Sequence, residues 1–296
     1  MKFIDIKILK LIIIFILFSA LLSIVYVMVE YRTFTGPNFS HTVNGDFTYL
    51  ESFFQEEPEE MLTSISSSTT PEVKVPIIIY HSVRPYILGE SILQDRFDIT
   101  PALFERQLAY LQKHGFTTIS PDELARDIKL GTTTPTIKPV MLSFDDGWEN
   151  QYKYAFPLLK KYHMIATFYV YSNPIDKNRP SYLSWDQLRE MSAAGMIIGS
   201  HTLSHPLFRN LTVPEIKNEI VKSKKVIESE IGKPVVNFAQ PFGYSSPGIE
   251  ALIKEAGYKT ARGTFKGVYH SQADLYNLQG YFTSDNFNDF VYILSR

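Results

Sequence analysis

PVMLSFDDG, residues 139–147, is a run of apolar and small residues that ends in two carboxylates and a glycine. Such a run, with no polar alternation, predicts a strand covered on both faces, as in a parallel sheet packed between helices. Similar short runs flank it. PIIIY (Pro76 to Tyr80) precedes it, and Ala166 to Tyr171, Met196 to Gly199, Val235 to Phe238 and Lys259 to Arg262 follow. Amphipathic segments with helix signals separate them. Ser120-Pro-Asp-Glu123, Ser184-Trp-Asp-Gln187 and Thr212-Val-Pro-Glu215 have the spacing of capping boxes, and Gly115, Gly195, Gly232 and Gly257 are expected helix stops. Alternating strands and helices predict an α/β fold, either an open doubly wound sheet or a barrel.

In both architectures the active site lies where strands run out into loops, at their C-terminal ends. The residues there are His81 after PIIIY, Asp145-Asp146-Gly147 after PVMLSF, His201 after MIIGS, and Gln240-Pro241-Phe242-Gly243 after VVNFA. Alone, Asp-Asp-Gly reads as a turn and His-x-x-x-His as two surface histidines; converging from several strand ends, they read as a site. His201 and His205 are spaced to bind one ion if the segment is helical or a tight turn. A catalytic metal needs a third protein ligand, which Asp146 or Asp145 could supply while the other aspartate takes a proton. Thr202 stands where a zinc protease would carry its glutamate, so that motif is absent.

Composition narrows the chemistry further. The 296 residues include no cysteine, which excludes disulfides, thiol nucleophiles and thiolate metal sites. A net charge of -2 leaves no basic field to attract nucleic acid. From Leu11 to Val29 no residue is charged, a length that predicts a transmembrane helix. Lys2, Lys7 and Lys10 precede it, so the N-terminus is expected in the cytoplasm and the rest of the chain outside the cell membrane. The expected organisation is an uncleaved single-pass anchor in the lipid bilayer over residues 1–30, a polar tether over 31–72 and one α/β domain over 73–296. A cleaved signal peptide is the competing reading, but the run is longer than a signal core and ends in a poor cleavage site.

The motifs resemble those of the NodB-homology polysaccharide deacetylases, carbohydrate esterase family 4. Met141-Leu-Ser-Phe-Asp-Asp-Gly147 is similar to the family's TFDDG motif, and His201-Thr-Leu-Ser-His205 matches its H-[ST]-x-x-H motif. Phe238-Ala-Gln-Pro-Phe-Gly243 resembles R-x-P-Y-G in its Pro-aromatic-Gly part, and Pro76-Ile-Ile-Ile-Tyr-His81 resembles a segment of the poly-N-acetylglucosamine deacetylase branch. The resemblance implies a distorted (β/α) barrel of seven or eight strands and a hydrolase that removes acetyl groups from acetylated, N-acetylglucosamine-containing cell-surface polysaccharide. By position it implies Asp146, His201 and His205 as ligands of one divalent ion, with zinc expected, and Asp145 as general base. Pro241, Phe242 and Gly243 would contact substrate, the Phe242 N–H holding the oxyanion.

Two departures from the family pattern stand out. Leu278-Gln279-Gly280 occupies the place of a late L-x-H motif, so His81 is the expected general acid, with His270 second. The arginine that braces the base in many members is missing before Pro241, where Ala239-Gln240 stands instead. These losses leave a rival reading, a degenerate carbohydrate-binding module of the same fold. A metallophosphoesterase that uses Asp-Asp with two ions is a further rival.

Overall fold

The structure, a computed structural model, describes residues 71–87, 89, 97–134, 137–283 and 285–296. The expected membrane helix and nearly all of the expected tether lie outside these residues. Among the described residues no helix is long and apolar enough to cross a membrane.

In chain order the strands are β1 (Val73–Lys74), β2 (Ile77–Tyr80), β3 (Ser82–Val83), β4 (Asp98–Ile99), β5 (Phe116–Thr118), β6 (Lys138–Phe144), β7 (Thr167–Val170), β8 (Ile197–Ser200), β9 (Asn237–Ala239), β10 (Thr260–Arg262), β11 (Tyr269–His270) and β12 (Tyr281–Phe282). The α-helices are α1 (Pro101–Lys113), α2 (Pro121–Leu130), α3 (Phe156–Lys161), α4 (Ser172–Asp176), α5 (Trp185–Ala193), α6 (Val213–Ile231), α7 (Pro247–Glu255) and α8 (Phe287–Ser295). The three expected capping boxes close as predicted, at Ser120 with Glu123, Ser184 with Gln187 and Thr212 with Glu215. Each satisfies backbone N–H groups that the first helical turn leaves without partners.

The main sheet has the order β10-β9-β8-β7-β6-β2-β12, and β5 pairs the first residues of β6. Every pairing in it is parallel. The sheet curls as in a distorted (β/α) barrel. Leu278 bridges Arg262 of β10, and Tyr281 and Phe282 pair with Ile78 and Ile79 of β2, so one short segment touches both edges. Strands β5 and β12 are only two or three residues long, too short for a periodic pattern to announce them.

The two faces of the sheet feed separate cores. Ile78, Tyr80, Leu142 and Phe144 pack with α1 and with α3 to α8, whereas Ile77, Ile79 and Met141 pack with Val75, Leu278 and Ile128 of α2. This is the alternation a strand imposes, seen on two neighbours in register. Tyr80, Phe144 and Phe168 stack in a ladder across three strands, with ring centroids 4.9 and 4.7 Å apart. Offset ring stacks of this kind add about 0.5–1.5 kcal/mol each beyond burial. The pairing of Tyr80 with Phe144 has a direct consequence for function: the next residues, His81 and Asp145, leave the sheet side by side.

Candidate active site

A cavity of about 1070 Å³ opens at the C-terminal ends of the strands. Its walls include His81, Asp145, Asp146, His201, His205, Phe242 and Gly243, so nearly every expected site residue converges there. Pro241 is buried next to it, at the start of the turn that carries Phe242 and Gly243. His270 lies elsewhere. It is buried on β11 with Nε2 against the Val75 carbonyl and does not line the cavity.

Asp145 is 3% exposed, and its backbone N–H donates to the Tyr80 carbonyl at 2.9 Å. Its Oδ1 accepts a hydrogen bond from Nη2 of Arg262, a side chain that is fully buried. Its Oδ2 lies 3.9 Å from His81 Nε2. Burial alone would push the Asp145 carboxyl up, but the charges of Arg262, His201 and His81 and the Arg262 hydrogen bond outweigh it and hold the carboxyl below the usual range. The expectation of an unbraced base is therefore corrected. The guanidinium comes from the end of β10 rather than from the segment before Pro241. A charged residue closing an otherwise buried strand, in Thr260-Ala-Arg262, was the signal available for it in the sequence.

Asp146, His201 and His205 offer ligand atoms that all lie within 4.8 Å of one another. Asp146 Oδ1 is 3.8 Å from His201 Nε2 and 3.5 Å from His205 Nε2. His201 Nδ1 is 2.8 Å from the Ala239 carbonyl oxygen, a contact that requires Nδ1–H to donate and leaves the Nε2 lone pair facing Asp146. Such a fixed tautomer is the usual arrangement of a metal-binding histidine. Burial, the largest influence, lowers the His201 pKa to about 4, which keeps the ring neutral and able to ligate. These three residues fit a divalent metal ion.

The histidine segment is a turn, not a helix. Thr202 and His205 have φ of 75° and 57°, a left-handed region unusual for non-glycine residues and particularly for a β-branched one. Hydrogen bonds hold it there. His205 N–H donates to Thr202 Oγ1, and Leu203 N–H and Ser204 N–H both donate to Glu219 Oε2 of α6. Backbone strain maintained by such contacts is common at functional sites. The turn after β9 is equally constrained. Phe242 has φ 58° and exposes 62% of its surface, and a Cβ on Gly243 would fall 1.9 Å from Thr264 Oγ1.

Sequence reasoning did not single out Gln151. A π-helical turn at Gln151–Ala155 follows the Asp-Asp-Gly loop. From it, buried Gln151 donates through Nε2 to the carbonyls of His81, at 2.6 Å, and Asp145, at 2.5 Å. Asn150 beside it accepts from Val83 N–H and donates to Ser82 Oγ. One dipeptide thus ties together the two strand ends that carry His81 and Asp145.

Comparison with known proteins gives a consistent result. A family model described as polysaccharide deacetylase matches residues 132–261. YxkH of Bacillus subtilis, named as a polysaccharide deacetylase, is 30% identical over 229 residues, which make up 76% of this chain and 76% of YxkH. The poly-β-1,6-N-acetyl-D-glucosamine N-deacetylase of Staphylococcus aureus is 26% identical over 200 residues, 61% of this chain and 68% of that protein. Among solved structures, the Streptococcus pyogenes deacetylase PplD in complex with acetate is similar with a TM-score of 0.70 and 25% identity, covering 75% of this chain and 98% of PplD.

Proposed function

The chain belongs to the polysaccharide deacetylase family, and from that premise we propose that it is a metal-dependent N-deacetylase of N-acetylglucosamine-containing cell-surface polysaccharide. One observation carries the reading. A three-residue cluster suited to a cation lies in the same cavity as a separately braced carboxylate and an adjacent imidazole. Asp146, His201 and His205 would hold the ion, for which zinc suits the nitrogen-rich donor set. When bound, it supplies Lewis acidity that lowers the pKa of water and polarises the acetyl carbonyl.

The chain's own groups handle the protons. Asp145 is ionised at neutral pH and accepts a proton from the attacking water as the new C–O bond forms. Protonated His81, across from Asp145 Oδ2, donates to the amide nitrogen as the C–N bond breaks, so the products are acetate and an amino sugar. Pro241, Phe242 and Gly243 form a rigid rim against which the acetyl group rests, and the Phe242 N–H is the proposed oxyanion donor. The Arg262 brace favours turnover over the degenerate binding module, because it supplies the base partner whose loss motivated that alternative.

Purified full-length protein should release acetate from β-1,6- or β-1,4-linked N-acetylglucosamine oligomers or from peptidoglycan, and EDTA should stop the release. Absence of metal-dependent acetate from all three substrates, with glycan binding retained, would identify a binding module. His81→Gln keeps a polar side chain but has no transferable proton. It should lower kcat about 100-fold with little change in KM. A kcat within threefold of wild type would remove His81 from the acid role.

A further inference from the structure

Asp146 has two carboxylate oxygens, and only one of them faces the histidines. Oδ1 lies 3.5 and 3.8 Å from the two Nε2 atoms, whereas Oδ2 accepts a hydrogen bond from the indole Nε1–H of Trp148 at 3.1 Å. The indole is itself fixed. Trp148 and Tyr182 form an antiparallel bridge, with Leu183 N–H donating to the Gly147 carbonyl and Glu149 N–H to that of Ser181. The Trp148 and Tyr182 rings stack at 4.6 Å and 22°. Tyr171 hydroxyl then donates to the Tyr182 hydroxyl at 2.5 Å, and the Tyr171 ring flanks His205 at 5.4 Å. A continuous arc of three aromatic side chains therefore runs from one candidate ligand to another.

We infer that Trp148 is a positioning residue for the metal site: its N–H occupies Asp146 Oδ2, so the carboxylate offers the ion Oδ1 alone. The inference rests on the proposed function, because it assumes that Asp146, His201 and His205 hold a cation. The physical argument is one of freedom. Asp146 sits at φ 72° on a tight turn, and its carboxylate could rotate or present both oxygens to an ion. A hydrogen bond from a stacked, bridged indole removes that freedom, leaving one oxygen and two nitrogens as protein ligands and the remaining positions open. Partners that orient ligands in this way are typically worth about 10–100-fold in metal affinity.

Trp148→Phe tests this, because phenylalanine keeps an aromatic ring against Tyr182 while deleting the N–H donor along with the five-membered ring that carries it. Zinc affinity of the full-length protein is measured by competition with a chromophoric chelator, independently of activity, and folding of the metal-free protein by thermal melting. The variant should melt like wild type and bind zinc about 10–100-fold more weakly. Zinc binding within threefold of wild type would overturn the inference while leaving the proposed function intact. Failure of the wild type to bind zinc would overturn both. A second variant covers the case in which Trp148→Phe does not fold. The chain has two tryptophans, and Trp185 instead donates to Asp176 on another element, so Trp185→Phe leaves Trp148 as the only indole. Its fluorescence should then change with zinc at the midpoint found by competition; binding without any change would also overturn the inference.

Discussion

Asp145→Asn should lower acetate release about 100- to 10,000-fold while leaving zinc affinity near that of wild type, because it deletes a proton acceptor without touching the three candidate ligands. Asparagine has nearly the same shape as aspartate, and its Oδ1 can still accept from Arg262 Nη2. It cannot accept a proton at any pH of interest. Activity is measured by acetate release with zinc in excess, and affinity by chelator competition. If more than a tenth of wild-type activity remained, Asp145 would not be the base. If zinc binding fell in parallel with activity, Asp145 rather than Asp146 would be a ligand, the alternative that the Asp-Asp sequence leaves open.

Arg262→Met should produce the largest loss of stability. The guanidinium is completely buried and its partner almost so, and removing one member of such a pair strands the other charge. The expected cost at neutral pH is about 3–5 kcal/mol. For a domain of this size that lowers the melting temperature by roughly 6–20 °C. The pH dependence has a definite sign. In the wild type the Asp145 carboxyl is held below its unfolded value of about 3.9, so its stabilising contribution is present above that pH and fades as pH falls through the lower folded value. In Arg262→Met the guanidinium's charge and hydrogen bond no longer oppose burial, so the folded carboxyl moves up from its wild-type position. Because the unfolded value is common to both proteins, the deficit should be greatest at neutral pH and narrow as pH falls from the variant's higher folded value through the wild type's lower one. Thermal melts of both proteins from pH 3 to 7 check this, and a deficit that is constant with pH would assign Arg262 a packing role instead. Combining Asp145→Leu with Arg262→Met should recover much of the stability, since a buried ion pair replaced by apolar groups is often neutral.

Much of the site was legible because the chemistry sits directly after recognisable strands. PVMLSF and PIIIY are apolar runs that only a covered strand accounts for, so the polar residues after them, Asp145, Asp146 and His81, had to emerge at one end of the sheet. The capping boxes were legible for the same reason: Ser120 and Glu123 meet through hydrogen bonds three residues apart, and nothing distant is needed. Gln151 and Trp148 were not legible. A glutamine inside an aromatic-rich helix start looks like any polar residue, and only the packed turn brings its amide to two carbonyls at once. Trp148 carries no signal of its own in the sequence, and only its pairing with Tyr182 fixes the direction of its N–H.

By itself, then, the sequence determined the α/β order, the strand ends and the kinds of chemistry that Asp-Asp and His-x-x-x-His allow, because hydrophobic period and local hydrogen bonding are encoded within a few residues. The tertiary structure decided which groups meet. Arg262 and Asp145 are 117 residues apart; one ends β10 and the other directly follows β6, strands separated in the sheet by β9, β8 and β7. A flat sheet would hold them more than 15 Å apart at the roughly 4.8 Å spacing of strands. Curling of the sheet, fixed by the Leu278–Phe282 segment that touches both of its edges, brings the guanidinium onto the carboxylate.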